Sequence, residues 1–421
     1  MNTKIIYPAV IFAFVALAVI LSLPLLGAYL GSAGHDSQWY ILLSEGRISE
    51  VLQPFSSRIL YPFIAGWIDR NFPLDVGESF FLLGLVSLIL FLILNSVILN
   101  KEVKAPVFVA PFIFLPFFIS AFREVFLPDI FYVFLTTLFF FFLFRGWESL
   151  SLVALFLLFL SRESTILLGL ILLVFSLWRS KKILFWGTLA VIAISLFVTN
   201  QIGGLGLPNP HDVGSSFYLV LKFVYNFFNN FLGLKLWAST LAGNCNPILR
   251  IDLPVWPLFG SIREAGFCGF DPTVPLNSFL ALLTTFGVAP LVFFYIFLKK
   301  AKLVMHSFPF WVTLAAVYGL IHYFVGVAAG TGVGRIVGYG WPAFVLALPI
   351  LAKGFFEFDK KFIPKIFLAQ VLVAWFPFVV QEIFGYQIIN VLISIIFSLP
   401  FYFWVFMLLK NQRIVIDEYV R

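Results

Sequence analysis

Phe80-Phe81-Leu82-Leu83-Gly84-Leu85-Val86-Ser87-Leu88-Ile89-Leu90-Phe91-Leu92-Ile93-Leu94-Asn95-Ser96-Val97-Ile98-Leu99 runs without a charge and ends against Lys101 and Lys104. At 1.5 Å per residue, a helix of about 20 apolar residues matches the ~30 Å hydrocarbon core of a bilayer. The stretch therefore reads as a membrane span whose cationic end reaches water. The same grammar recurs along the chain. Of its 421 residues 62% are hydrophobic and 11% charged, against about 25% charged in soluble domains. Such a composition cannot cover a water-facing surface with polar groups. It predicts an all-α polytopic membrane protein, with residues 1–421 forming a single integral membrane domain. The 56 phenylalanines need no role beyond lipid-facing bulk.

Further spans are expected at 5–30, 106–122, 128–144, 150–160, 165–178, 183–199, 276–298, 308–327, 336–351, 366–380 and 388–409, about twelve in all. The first resembles a signal peptide, but its apolar run is too long and lacks a small-residue cleavage site, so it reads as uncleaved. Two longer polar segments remain. The first outer loop, 31–75, contains an apolar run at 58–70 too short to cross, expected as an interfacial helix. The second, 200–275, contains an amphipathic or re-entrant segment with Lys222, Asn226, Asn229 and Asn230 near one helical face. Counting that segment as a span would put Lys299, Lys300 and Lys302 outside.

With the N terminus inside, the cytoplasmic loops collect 13 Lys, 4 Arg and 6 of the 20 carboxylates. The outer loops carry 2 Lys, 8 Arg and 14 carboxylates. This is the positive-inside asymmetry, with both termini cytoplasmic in an inner membrane of bacterial type. It accounts for the net charge of +7 and leaves no basic tract for nucleic acid. The outer face is acidic yet prefers arginine, whose planar fork suits carboxylate and phosphate. Cys245 and Cys268 fall in 200–275, where an extracytoplasmic disulfide is expected.

Polar groups gather at the outer span ends. Gly34-His35-Asp36-Ser37-Gln38-Trp39-Tyr40 follows the first span, and Arg58-Ile59-Leu60-Tyr61-Pro62 opens the short helix. Arg123-Glu124, Pro128-Asp129 and Ser161-Arg162-Glu163-Ser164 lie at hairpin ends. Arg335 closes a glycine-rich stretch, Gly326 to Gly334. Ionisable groups beside apolar runs usually pair or face a cavity. Plainer readings stand beside this one. Arg123-Glu124 and Arg162-Glu163 could be interfacial ion pairs, Asp129 a helix cap, the glycines a close helix approach, and Trp39 and Tyr40 belt aromatics. His211-Asp212, His306 and His322 read as structural. No HExxH, CxxC or GxxxxGK[ST] motif occurs.

The order of these motifs resembles the GT-C class of polytopic glycosyltransferases, such as protein mannosyltransferases and bacterial enzymes that decorate lipids and polysaccharides. That resemblance implies a polyprenyl-phosphate-linked sugar donor and a glycan, lipid or protein acceptor. It makes Asp36 the general base, beside His35, which stands where members of the class often carry a second acid. Arg58, Arg123, Arg162 and Arg335 are then expected to hold the donor phosphate, with Glu124, Asp129 and Glu163 as supporting acids. No cofactor is required by the sequence. A divalent cation stays open, with Asp36 and Asp129 as the ligands if one binds. Two other readings remain: a polysaccharide polymerase or O-antigen ligase, and a lipid or sugar transporter or flippase, which would favour broken helices at the midplane.

Overall fold

The computed structural model describes residues 15–16, 18–20, 36–103, 115–208, 218–238, 247–252, 264–329, 333–356, 362–385 and 387–412, with backbone alone for 218–222, 237–238 and 362–363. His35, His211-Asp212, Cys245 and most of the expected first span lie outside them. The described chain is predominantly helical. Helix α1 is Ser37–Ser44 and α2 is Leu60–Asn71. Helices α3 (Val76–Val103), α4 (Pro116–Arg123), α5 (Asp129–Phe144), α6 (Glu148–Ser161), α7 (Thr165–Trp178) and α8 (Lys182–Gly203) follow, with α5 packed on α3 and α6, and α8 packed on α6 and α7. Beyond them come α9 (Tyr218–Leu232), α10 (Thr273–Phe286), α11 (Ala289–Ser307), α12 (Phe310–Ala329), α13 (Val333–Gly338), α14 (Trp341–Phe355), α15 (Phe362–Phe384) and α16 (Ile388–Asn411).

Apolar side chains fill the interior and also cover the outward helix faces. Helix α8 exposes Ile183, Trp186 and Phe197 and buries Thr188 and Ser195. Helix α3 exposes Ile93 and Val97, while Ser87, Asn95 and Ser96 face the interior and donate to the carbonyls of Leu83, Phe91 and Leu92. An apolar surround leaves polar side chains no water, so those of α3 bond to backbone within their own helix.

Among the described residues five helices are long and apolar enough to cross a membrane: Val76–Val103, Lys182–Gly203, Phe310–Ala329, Pro364–Phe384 and Ile388–Asn411. The other apolar helices, α5, α6, α7 and α14, have 14 to 16 residues, or about 21–24 Å. The structure therefore supports a helical membrane protein without reaching the expected twelve spans.

One expected span is broken. The run 276–298 divides at Gly287 into α10 and α11, which meet at 87°. Gly287 has φ +54°, and a Cβ there would lie 2.5 Å from Gln370 Oε1, so only glycine fits. The opened backbone is re-satisfied from α15 and α16. The fully buried Gln370 accepts from the Val288 N–H (2.7 Å) and donates to the Phe286 carbonyl (3.0 Å). The Tyr402 hydroxyl donates to the Gly287 carbonyl (2.5 Å). The sequence signal, a glycine followed by Pro290, was weak beside continuous hydrophobicity.

The 200–275 segment holds two departures. Helix α9 turns Asn226 and Asn230 inward, where Asn230 donates to the Val327 carbonyl of α12 (2.7 Å), while Phe223 and Phe227 point out. A small antiparallel sheet also forms, which the all-α expectation did not include: β1 (Leu234–Ala238), β2 (Leu249–Asp252) and β3 (Glu264–Phe270), in the order β1-β3-β2. Lys235 pairs with Gly269 and Leu236 with Phe267, so Cys268 is the extra residue of a bulge. Cys268 is disulfide-bonded, and the one other cysteine of the sequence is Cys245.

Candidate functional site

The hairpins bring the acidic and cationic motifs to one end of the bundle. Helices α6 and α7 run antiparallel, so Glu148 and Lys181 meet at one end (3.2 Å) while Arg162 and Glu163 lie at the other. The first loop is clamped to that second end. Helices α1 and α2 approach so closely that a Cβ on Gly66 would lie 2.0 Å from the Ser44 carbonyl. The Tyr61 hydroxyl of α2 donates to the Val125 carbonyl (2.6 Å), fixing the turn that carries Glu124 between α4 and α5.

Arg335 is the centre. Its Nη1 donates to Glu124 Oε2 (2.5 Å), its Nε lies 3.5 Å from Asp129 Oδ2, and its Nη2 lies 3.8 Å from Asp36 Oδ2. Asp129 is wholly buried and accepts a short hydrogen bond from the Tyr339 hydroxyl. A second guanidinium, that of buried Arg162, lies 3.7 Å from Asp129 Oδ1 and stacks over the Tyr339 ring at 4.7 Å. The cap reading of Asp129 does not hold: it is the first helical residue of α5, makes no cap hydrogen bond, and turns its carboxylate to these partners. Arg162 reaches it because the backbone leaves α6 in an extended conformation, φ −160° and ψ 139°.

Arg58 forms a neighbouring assembly. Its Nε and Nη2 grip Glu163 at 2.9 and 2.5 Å, its Nη1 donates to the buried Tyr40 hydroxyl (3.0 Å), and it lies 4.7 Å over the Phe55 ring. Burial acts to raise the Glu163 carboxyl, but the Arg58 charge and hydrogen bonds more than offset it and hold it at about 2. Tyr40 thus anchors Arg58, beyond the belt role read for it, and Trp39 stacks on Phe55 (6.4 Å). Arg123 stands apart from Arg335, donating to Glu382 of α15 (2.6 Å) over the Phe378 ring.

The charged motifs thus divide. Asp36, Glu124, Asp129, Arg162 and Arg335 share one cluster, Arg58 and Glu163 brace it, and Arg123 ties α4 to α15. Three carboxylates face two guanidiniums in the cluster, so its positive charge is fully matched. Among the described residues no group of three or more His, Cys, Asp or Glu side chains is set to hold a metal ion; the three acids are turned on Arg335 instead. Sequence reading missed Tyr339, although it lies one helical turn after Arg335, and missed Glu382, whose partner is 259 residues away.

One cavity reaches this cluster and a second reaches the Arg58–Glu163 assembly beside it. One, of about 620 Å³, lies among α4, α9, α10, α13 and α15 and reaches Glu124 and Arg335. The other, of about 600 Å³, has Leu167, Leu170, Val325 and Ile336 on its apolar walls, and Glu163, Asn200 and His322 among its polar ones. No family model, curated protein or solved structure matches the chain.

Proposed function

We propose that this protein is a membrane glycosyltransferase of the GT-C kind, moving a sugar from a polyprenyl-phosphate donor to a hydroxyl acceptor at the outer face. The observation that carries the reading is the Asp36–Arg335–Asp129 cluster, with Arg335 on the wall of a cavity rich in polar side chains and Glu163, next to Arg162, on the wall of one with apolar walls. A reaction that joins a lipid-borne sugar to a polar acceptor needs those two environments beside one base and one cation.

The chemistry follows from the exposure of each group. Asp36 is the most accessible of the cluster's three acids, with 44% of its side chain exposed against 36% for Glu124, and takes the proton of the acceptor hydroxyl. That oxygen forms a bond to the anomeric carbon as the bond from that carbon to the phosphate oxygen breaks. The electron pair leaves with the polyprenyl phosphate. Arg335 stabilises the growing phosphate charge. Glu124 balances Arg335 on the side of the 620 Å³ cavity, while buried Asp129 keeps Arg335 and Arg162 in position. The donor chain lies along the apolar cavity by Leu167 and Leu170.

The broken α10–α11 pair is the feature that favours a transporter, since unwound helix ends there often coordinate ions. Here Gln370 and Tyr402 occupy the groups flanking the break, which weighs against that use. The test supplies membranes with a radiolabelled polyprenyl-phosphate sugar and follows transfer. Asp36→Asn, folded and at wild-type abundance, is expected to lose at least about 100-fold in rate; transfer at the wild-type rate would remove Asp36 as base.

A further inference from the structure

We infer that the cavity among α4, α9, α10, α13 and α15 binds a neutral carbohydrate, so that the acceptor is a glycan chain rather than a protein side chain or a bare lipid hydroxyl. Calling this ligand the acceptor rests on the glycosyltransferase reading; the binding itself does not.

Four elements turn amides and hydroxyls into one space: Ser120 from α4, Asn229 from α9, Asn277 and Thr284 from α10, and Gln381 from α15. On α10 the cavity positions Asn277, Ala281 and Thr284 follow a spacing of three to four, so one stripe of that helix is given to small and polar residues. In an apolar surround such groups are costly unless bonded. Some are partly occupied: Asn229 donates to Asn230 (3.2 Å), and Thr284 bonds back to the Leu280 carbonyl (3.2 Å). The Gln381 amide nitrogen is buried with no hydrogen-bond partner in the structure.

Charge selects the ligand class further. The two ionised groups on the wall, Glu124 and Arg335, neutralise one another at 2.5 Å. A neutral molecule that both donates and accepts hydrogen bonds matches the remaining amides and hydroxyls, each of which does the same. Phe117, Leu280 and Val333 supply apolar surface for the C–H faces of a sugar ring. A volume of about 620 Å³ lies within the ~300–1,000 Å³ typical of ligand sites and admits more than one ring. The cavity also reaches Arg335, whose Nη2 lies 3.8 Å from Asp36, so the ligand and the base share one guanidinium.

Saturation-transfer NMR on the whole chain in nanodiscs tests this without any donor. The probes are methyl hexosides, methyl N-acetylhexosaminides, chitobiose and, as the charged control, methyl glucuronide. At least one neutral saccharide is expected to receive saturation and the glucuronide none. Asn277→Leu on the exposed side of α10, and Thr284→Val, which preserves shape, are each expected to weaken binding at least 10-fold while melting like wild type. No binding by any neutral saccharide, preferred binding of the glucuronide, or unchanged binding in both variants would overturn the assignment. Saccharide binding with wild-type transfer by Asp36→Asn would sink the base and keep this site; lost transfer by Asp36→Asn with no saccharide binding would do the reverse.

Discussion

Replacing Asp129 by asparagine removes a charge and keeps the shape, so it isolates what that carboxylate holds. Asp129 is wholly buried, 3.7 Å from Arg162 and 3.5 Å from Arg335. At an effective dielectric of about 20 each contact is worth roughly 4–5 kcal/mol. Much of that is returned, because the neutral side chain no longer bears the cost of burial. Tyr339 can still donate to the amide oxygen. Arg162 loses its buried counter-ion, and breaking a buried pair from one side costs about 3–5 kcal/mol; Arg335 keeps Glu124. We expect Asp129→Asn to lower stability by about 3 kcal/mol. Asp36→Asn is the contrast: its contact with Arg335 is 3.8 Å and its side chain is 44% exposed, so the loss should stay within about 1 kcal/mol. Unfolding in mixed SDS micelles, followed by the fluorescence of the 11 tryptophans, measures both. An Asp129→Asn protein as stable as wild type would refute the buried hub, and an Asp36→Asn loss above about 2 kcal/mol would make Asp36 structural rather than catalytic.

Three further outcomes are expected. Glu124→Gln removes the anion that balances Arg335 on the cavity wall, so methyl glucuronide, which wild type is expected to exclude, should gain saturation transfer; continued exclusion would show that this pair does not set the charge of the wall. Gly287→Ala imposes a Cβ at φ +54° against Gln370 and should cost at least about 2 kcal/mol in the same unfolding assay, with a wild-type transition counting against the break. The Glu163 carboxyl lies below its ordinary 4.5, at about 2, so its pair with Arg58 stabilises the fold fully above pH 4.5 and loses that contribution as pH falls through 2. The melting difference between wild type and Glu163→Gln should therefore persist at pH 4 and shrink towards pH 2, and its disappearance by pH 4.5 would contradict the pairing.

Much of the architecture was legible because hydrophobicity is a local property. The run from Phe80 to Leu99 sets α3, and the cationic stops after it and after Trp178 mark the helix ends at Val103 and Trp178. The motifs at 36, 124, 129, 162 and 335 were also visible, because a charge beside an apolar run stands out. Their division was not. Four arginines looked alike in sequence, yet Arg58 is bound by Glu163 across 105 positions and Arg123 by Glu382 across 259. No local pattern encodes such pairs.

The break at Gly287 was hidden for a related reason. Glycine permits the positive φ, but what makes the break affordable in an apolar surround is Gln370, 82 residues on, which bonds the freed Val288 N–H. The two cavities likewise exist only where non-consecutive helices fail to touch. By itself, then, the sequence determined that this chain is a helical membrane protein and where its charges fall, since transfer of residues out of water depends on composition along the chain. Only the tertiary structure decided which of those charges share Arg335, because pairing between helices depends on how side chains distant in sequence meet.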